Sequence, residues 1–102
     1  MAQVLVLYGT PADPSAFDRY YKETHIPLAW KIPALRSYTV SSGGIQSLTG
    51  STPPYLVAIL TFDSMADITA ALASPEGQAT AADVAKFASG GATMLLFDHK
   101  CV

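Results

Sequence analysis

The chain has 102 residues, of which 50% are hydrophobic and 14% are charged, and its formal net charge is −2 at pH 7. That length suits a single domain over residues 1–102, and so high an apolar share in a small domain predicts that a partner subunit or a ligand covers part of the surface. The six lysines and arginines form no basic stripe, which argues against nucleic-acid binding, and no apolar run approaches the roughly 20 residues of a membrane span.

The N-terminal residues predict a buried strand. Val4–Tyr8 is an uninterrupted run of aliphatic, β-branched and aromatic side chains. Met1–Gln3 leads straight into this run, without the charged region, hydrophobic stretch and cleavage site of a secretion signal. We therefore expect a cytoplasmic protein. Cys101 is the single cysteine, so an internal disulfide is excluded.

A helix is predicted from Pro14 to about His25. Asp13 or Ser15 can cap it, and proline suits the first helical turn. Side chains at helical spacing mark one apolar face: Phe17, Tyr20, Tyr21, Thr24 and Leu28. Pro27 has no amide hydrogen and its ring clashes with the preceding turn, so it is predicted to end or kink the helix.

The second half of the chain predicts two further strands, two helices and a last strand. The strands Leu35–Val40 and Tyr55–Phe62 flank residues 41–54, which are rich in Gly, Ser, Thr and Pro and predict an extended hairpin connection. The helices are Met65–Ala73, capped by Ser64, and one that begins at Pro75 and stops at Gly90-Gly91. The last strand is Ala92–Asp98.

The order β-α-β-β-α-β predicts an α+β fold of the ferredoxin-like type, an antiparallel four-stranded sheet with helices on one face. A sheet with one solvated face alternates apolar and polar residues, but Val4–Tyr8, Tyr55–Leu60 and Met94–Phe97 do not. We therefore expect the second sheet face to be buried as well. A homodimer formed through that face is the simplest arrangement.

His25 is the main candidate for chemistry. Tyr21 lies one turn earlier on the same face, and the two side chains can converge on one ligand. Histidine suits proton transfer to or from a carbon acid or a carbonyl oxygen, and a helix C-terminus favours the imidazolium form. Alternatively, His25 is a C-cap that binds the carbonyls freed by Pro27, and the local spacing alone favours this role.

Other side chains are candidates for the same site. Aromatic residues that can line an apolar pocket for a flat substrate are Phe17, Tyr20, Trp30, Tyr38 and Phe87. Aromatic residues also occupy cores and interfaces. Arg36 can pair with a substrate carboxylate or enolate, or form a surface salt bridge. Asp83, on a mostly apolar helix, can orient an imidazole or lie on a solvated face.

Several cofactor motifs are absent from the sequence. There is no G-x-G-x-x-G, P-loop, H-E-x-x-H, cysteine cluster or C-x-x-C-H. A dedicated metal site is therefore not expected. A reaction at this site would need no tightly bound cofactor, or would use a haem or metal that the sequence does not announce.

The sequence resembles the EthD family in two paired motifs. The first is Leu7-Tyr8, then Pro14-x-x-Phe17-Asp18-x-Tyr20-Tyr21-x-x-Thr24-His25-x-Pro27-Leu28-Ala29, then Ile32-Pro33-x-Leu35-Arg36-x-Tyr38. The second is Ser74-Pro75-Glu76-Gly77 followed by Ala82-Asp83-Val84-x-x-Phe87. The resemblance covers nearly the whole chain in order and implies a dimeric α+β barrel.

The resemblance also implies a range of functions. The family is named for a small protein encoded with an ethyl tert-butyl ether degradation system that carries a cytochrome monooxygenase, and it is associated with oxidoreductase activity. Related barrels include cofactor-free monooxygenases, polyketide cyclases and decarboxylases, and haem-binding enzymes. In several of them a histidine acts on a phenolic or polyketide substrate. The matching residue here is His25, with Asp83 as its companion.

The residues and the resemblance together leave three alternative hypotheses for the function. The first is a small enzyme in which His25 transfers a proton of a hydrophobic or aromatic molecule and Tyr21 or Tyr38 supports the oxyanion. The second is an accessory module that binds a hydrophobic intermediate for a partner oxygenase without chemistry of its own. The third is a haem protein with His25 as axial ligand.

Overall fold

The protein, described over all 102 residues by a computed structural model, has one four-stranded sheet. The strands are β1 (Ala2–Tyr8), β2 (Ser37–Val40), β3 (Leu56–Phe62) and β4 (Ala92–Asp98), in the spatial order β2-β3-β1-β4. Every neighbouring pair is antiparallel. The predicted ferredoxin-like α+β topology is confirmed. No helix has the length and hydropathy required to cross a membrane.

The first helical region has three parts: α1 (Pro14–Tyr20), a π-helical segment (Tyr21–His25) and α2 (Ile26–Ala29). The Asp13 carboxylate caps its start by accepting from the amide of Ala16. Of the two outcomes predicted for Pro27, an end of the helix is not found, because α2 continues past it. In the π-helical segment the amide of Ile26 donates to the carbonyl of Tyr21, five residues back. This wider turn relieves the crowding that a proline ring imposes on the preceding turn, and the helix continues past it.

Two further helices follow, α3 (Met65–Ala73) and α4 (Pro75–Phe87). α3 has the predicted bounds, whereas α4 begins at Pro75 as predicted and ends at Phe87, before the predicted stop at Gly90-Gly91. Ser64 Oγ accepts from the amide of Asp67 at 3.1 Å, and Ser74 Oγ accepts from the amide of Gly77 at 3.0 Å. Gly77 also lets α4 approach α3 closely. A Cβ atom at this position would lie 2.0 Å from the carbonyl oxygen of Ala71.

Two strand boundaries differ from the prediction. β2 begins at Ser37 rather than Leu35, because Ala34 has a left-handed backbone (φ 65°) that interrupts the extended chain. β3 begins at Leu56, although the amide of Tyr55 still donates to the carbonyl of Tyr8 at 2.7 Å. Residues 41–55 join β2 to β3 as the predicted hairpin connection.

The core lies between one face of the sheet and the helices. It is formed by Ala2, Val4, Val6, Tyr8, Phe17, Tyr21, Ala29, Ile32, Ala58, Leu60, Phe62, Ile68, Ala71, Val84 and Phe87. On the opposite sheet face, Leu5 and Leu7 of β1 are only partly buried. β4 is exposed along its whole length, and its four central residues are large and apolar. In the single chain only one sheet face is therefore covered.

Candidate active site

The π-helical segment and α4 bring His25 and Asp83 together. His25 Nδ1 lies 2.9 Å from Oδ2 of Asp83, and the two residues are 3% and 4% exposed. Tyr20 donates its hydroxyl hydrogen to the other carboxylate oxygen, Oδ1, at 2.6 Å. The alternative of a C-capping histidine is wrong. The helix continues beyond His25, and the imidazole binds a carboxylate rather than free carbonyls.

The protonation of this pair follows from its surroundings. Burial acts to raise the pKa of Asp83, but hydrogen bonds from Tyr20 and His25 outweigh burial and the pKa is lowered. The carboxylate is ionised and can only accept hydrogen bonds, so Nδ1 of His25 carries the hydrogen and Nε2 is the basic nitrogen.

Burial lowers the pKa of His25, and Asp83 opposes that shift in part. The prediction that a helix C-terminus favours the imidazolium form is therefore wrong. The imidazole is neutral at physiological pH because it is buried and lies within the helical region. A neutral imidazole is the form that can accept a proton.

A cavity of about 60 Å³ lies beside this pair, between the helices and the sheet. Its lining is mostly hydrophobic and includes no Lys, Arg, Asp or Glu: Val4, Val6, Tyr8, His25, Ala29, Ile32, Tyr38, Ala58, Leu60, Phe62, Leu72, Gly77, Thr80, Ala81, Val84 and Met94. Every fully buried side-chain nitrogen or oxygen in the protein has a hydrogen-bond partner. Nε2 of His25 makes no hydrogen bond, so it cannot be fully buried and must retain some accessible surface. His25 is one of the residues that line the cavity.

Three tyrosines belong to the same region, and two of them line the cavity. The hydroxyls of Tyr21 and Tyr38 form a hydrogen bond at 2.5 Å, and Tyr8 lies close enough to Tyr21 to affect its pKa. Burial raises the pKa of all three phenols, so they remain protonated at physiological pH. Tyr8 and Tyr38 line the cavity, while Tyr21 does not. The structure thus places the predicted Tyr21 and Tyr38 near His25 and adds Tyr8.

Phe17 and Phe87, predicted to contact substrate, do not line the cavity. They belong to the aromatic core instead, with ring centroids 5.3 Å apart. The ring of Phe87 lies 4.7 Å from the imidazole of His25 and 5.4 Å from the ring of Tyr20. Phe87 therefore packs against the histidine, whereas Phe17 packs against Phe87 and the neighbouring tyrosines.

Trp30 and Arg36 also lie outside the cavity. Trp30 is 50% exposed, and its ring lies 6.1 Å from that of Tyr38. Arg36 forms an exposed ion pair with Asp63, in which Nη2 is 2.8 Å from Oδ2. The surface salt bridge, which the sequence left open as an alternative, is the arrangement found.

The sequence reasoning missed Tyr8. The available signal was its position, since it is the one polar-tipped side chain of the strand Val4–Tyr8 and its hydroxyl needs a partner once buried. Asp83 carried a comparable signal, a carboxylate on a mostly apolar helix, and the structure pairs it with His25 as expected.

Comparison with known proteins shows which family the chain matches. Residues 10–91 match the family model of the EthD domain. An uncharacterized 11.0 kDa protein of the thcB-thcC intergenic region of Rhodococcus erythropolis is 48% identical over 103 residues, which cover 100% of this chain and 98% of the relative.

Solved structures agree with that match. An EthD family protein from Bacillus halodurans superposes with a TM-score of 0.88 at 33% identity, covering 98% of this chain and 99% of that one. A dimeric ferredoxin-like protein of unknown function from Thermobifida fusca has a TM-score of 0.66 at 15% identity, covering 94% and 88% of the two chains. At that identity the second likeness concerns the fold alone.

Proposed function

The chain belongs to the EthD family, and from that premise we propose that it is a small enzyme that moves a proton of a hydrophobic carbonyl or phenolic compound, with His25 as the base. One observation carries the proposal. Asp83 holds Nδ1 of a buried, neutral histidine at 2.9 Å, Nε2 has no hydrogen-bond partner, and His25 lines an apolar cavity.

The proposed step is general base catalysis. Nε2 of His25 takes a proton from a C–H or O–H group, and the imidazolium that forms is stabilised by the Asp83 carboxylate. The ligand oxygen becomes negative at the same time. In the proposed step the hydroxyl of Tyr38 donates a hydrogen bond to it, a role supported by the hydrogen bond of Tyr38 to Tyr21 and by its place in the cavity lining. In a cavity with little water such donors act more strongly than they do in solution.

The charge of the cavity limits the ligand class. No lysine or arginine lines it, and Arg36 is engaged with Asp63 at the surface. An anionic ligand would therefore enter without a counter-ion and close to the Asp83 carboxylate, which is costly in an apolar site. The lining therefore favours a neutral, hydrophobic group.

Oxidoreductase activity, which the family resemblance implied, would require an oxidant after the proton is removed. Dioxygen uptake on adding a ligand is the measurement that would reveal it. Haem does not fit the site. The cavity of about 60 Å³ is several times smaller than the roughly 300–1,000 Å³ of ordinary ligand pockets, and the macrocycle is itself a large ligand. We derive no step through haem.

We also propose that the chain forms a homodimer through the sheet face that the helices leave uncovered. The support is the apolar character of that face, which carries Leu5 and Leu7 of β1 together with Leu95 and Phe97 of β4. The fold neighbour from Thermobifida fusca is itself described as dimeric. A soluble protein rarely leaves so continuous an apolar face in water.

A thermal-shift screen tests the function. The ligands are phenols, polyketide-like aromatics, ring-cleavage products and hemin, and the proteins are the wild type, His25→Ala and the control His99→Ala, which changes the exposed second histidine. A ligand of the native state raises the melting temperature. The proposal expects a hit that His99→Ala keeps and His25→Ala loses, followed by turnover. Binding without turnover would favour an accessory module for a partner oxygenase instead.

A further inference from the structure

A second buried polar group offers hydrogen-bonding capacity to the cavity. Tyr8 is 1% exposed and lines the cavity, and the protein hydroxyl that can bond to it is that of Tyr21. Tyr21 has a single hydroxyl hydrogen and is already bonded to Tyr38, so it can donate to only one of its two neighbours. Tyr8 and Tyr38 therefore keep hydrogen-bond donor or acceptor capacity that a ligand can use.

The cavity is too small to enclose a whole hydrophobic molecule. Its volume of about 60 Å³ is less than half of the roughly 150 Å³ that accommodates benzene in an engineered protein cavity. A carbonyl group and its neighbouring carbons fit, whereas the remainder of a larger ligand must lie outside. The surface over which that remainder extends then determines the shape of the ligand.

That surface is apolar. Leu72 of α3 and Met94 of β4 both line the cavity and also reach solvent, being 38% and 46% exposed. Met94 pairs with Val6 and so points to the helix side of the sheet. Leu95 and Phe97 point to the other side, where the proposed homodimer forms. A partner subunit on that face would leave Met94 uncovered.

We infer that the ligand is a neutral, enolizable carbonyl compound with an unbranched apolar chain, and that Tyr8 is a binding residue for it. The carbonyl oxygen accepts a hydrogen bond from Tyr8 inside the cavity, within reach of His25. The chain leaves between Leu72 and Met94. The inference rests on the proposed function: the C–H bond next to the carbonyl breaks, its proton passes to Nε2, and the electron pair moves to the oxygen as the enolate.

The test uses linear diketones from pentane-2,4-dione to nonane-2,4-dione and measures their affinities by calorimetry. In the wild type we expect affinity to rise up to about fourfold per methylene group that becomes buried. Met94→Ala should flatten that rise, while Leu96→Ala should not. Leu96 lies on the same strand and face and is similarly exposed at 43%, but it does not line the cavity.

Tyr8→Phe should lower the affinity for every diketone by the same factor, about two- to tenfold for one lost hydrogen bond. The control is Tyr55→Phe, which removes a hydroxyl bonded to Asp18 at the surface. An affinity that is independent of chain length, equal effects of Met94→Ala and Leu96→Ala, or full affinity in Tyr8→Phe would each overturn the inference, as would no binding by any diketone.

Deuterium exchange at the central carbon separates this inference from the proposed function. Exchange that the wild type accelerates and His25→Ala does not would support His25 as the base whatever the affinities show. The opposite outcome is diketone binding with the expected dependence on Tyr8 and chain length, while deuterium exchange stays at the background rate. That result would support the inferred ligand class and contradict the proposed catalytic function.

Discussion

Tyr20 donates its hydroxyl hydrogen to Asp83 at 2.6 Å, on the carboxylate oxygen that His25 does not use. The carboxylate is thus held at both oxygens, one by a phenol and one by an imidazole. This arrangement fixes the plane of the carboxylate, keeps its pKa low and presents one oxygen to Nδ1. Tyr20 therefore acts on the histidine only through Asp83.

Tyr20→Phe should reduce the proton-transfer rate by about tenfold, the scale of one hydrogen bond to a charged group. The pKa of Asp83 should rise, because one of the hydrogen bonds that lowers it is lost. The acid limb of the pH–rate profile should shift as well. Tyr55→Phe, which frees the exposed Asp18, serves as the control. An unchanged profile in Tyr20→Phe would show that the phenol has only a packing role.

Asp83→Asn should cost on the order of a hundredfold or more in rate, because an amide does not enforce a hydrogen on Nδ1 and does not stabilise the imidazolium. The fold should persist, since asparagine has nearly the same shape. Circular dichroism and gel filtration check the fold, and the exchange rate of a bound ligand checks the chemistry. A rate within twofold of the wild type would argue against Asp83 as an orienting group.

Stability should fall in two stages as the pH is lowered. The pKa of His25 is below its ordinary 6.5, so the unfolded chain binds the proton first and stability decreases as the pH falls from about that value toward the folded pKa. The pKa of Asp83 is lowered from 3.8 by Tyr20 and His25, with a smaller effect of Lys86. Its contribution is present above that value and is lost as the pH falls through the folded pKa.

Urea denaturation between pH 8 and pH 3 measures both stages. His25→Gln should remove the upper stage, because glutamine does not titrate, and His99→Gln should leave it in place. A wild-type protein whose stability is constant from pH 8 to pH 5 would contradict the burial of a neutral His25.

The sequence was sufficient for the topology because each element carried its own local signal. Ser64 and Ser74 cap α3 and α4 as their spacing indicates, and the apolar runs became strands. The sequence marked Pro27 as an end or a kink of the helix but did not predict the π-helical segment before it, because that segment depends on how the helix packs. His25 and Asp83 are 58 positions apart, so orienting an imidazole was only one of two alternatives that the sequence left open for Asp83, and the family resemblance strengthened that pairing. For Tyr8 the sequence carried only the signal of a polar tip in an apolar strand, and the tertiary structure was needed to place it in the cavity lining and near Tyr21.

Gly77→Ala should destabilise the protein by roughly 1–3 kcal/mol, the scale of overpacking at a close contact. The new Cβ atom would lie 2.0 Å from the carbonyl oxygen of Ala71, and backbone atoms cannot rotate away as a side chain can. Gly44→Ala is the matched control, because a Cβ there has no atom within 4 Å. Equal denaturation midpoints for the two variants would show that α3 and α4 do not approach as closely as the structure has them.

Leu95→Arg should convert the proposed homodimer into a monomer. Leu95 is 46% exposed in the single chain and lies opposite Leu5 of β1, on the sheet face without helices. A buried arginine without a counter-ion opposes association, while the monomer can leave the same side chain in water. Light scattering after gel filtration at micromolar concentration measures the mass. Leu48→Arg, at a fully exposed position in the β2–β3 connection, should retain the mass of the wild type. A monomeric wild type would contradict the proposed homodimer. A Leu95→Arg protein that stays dimeric would show that the interface lies elsewhere.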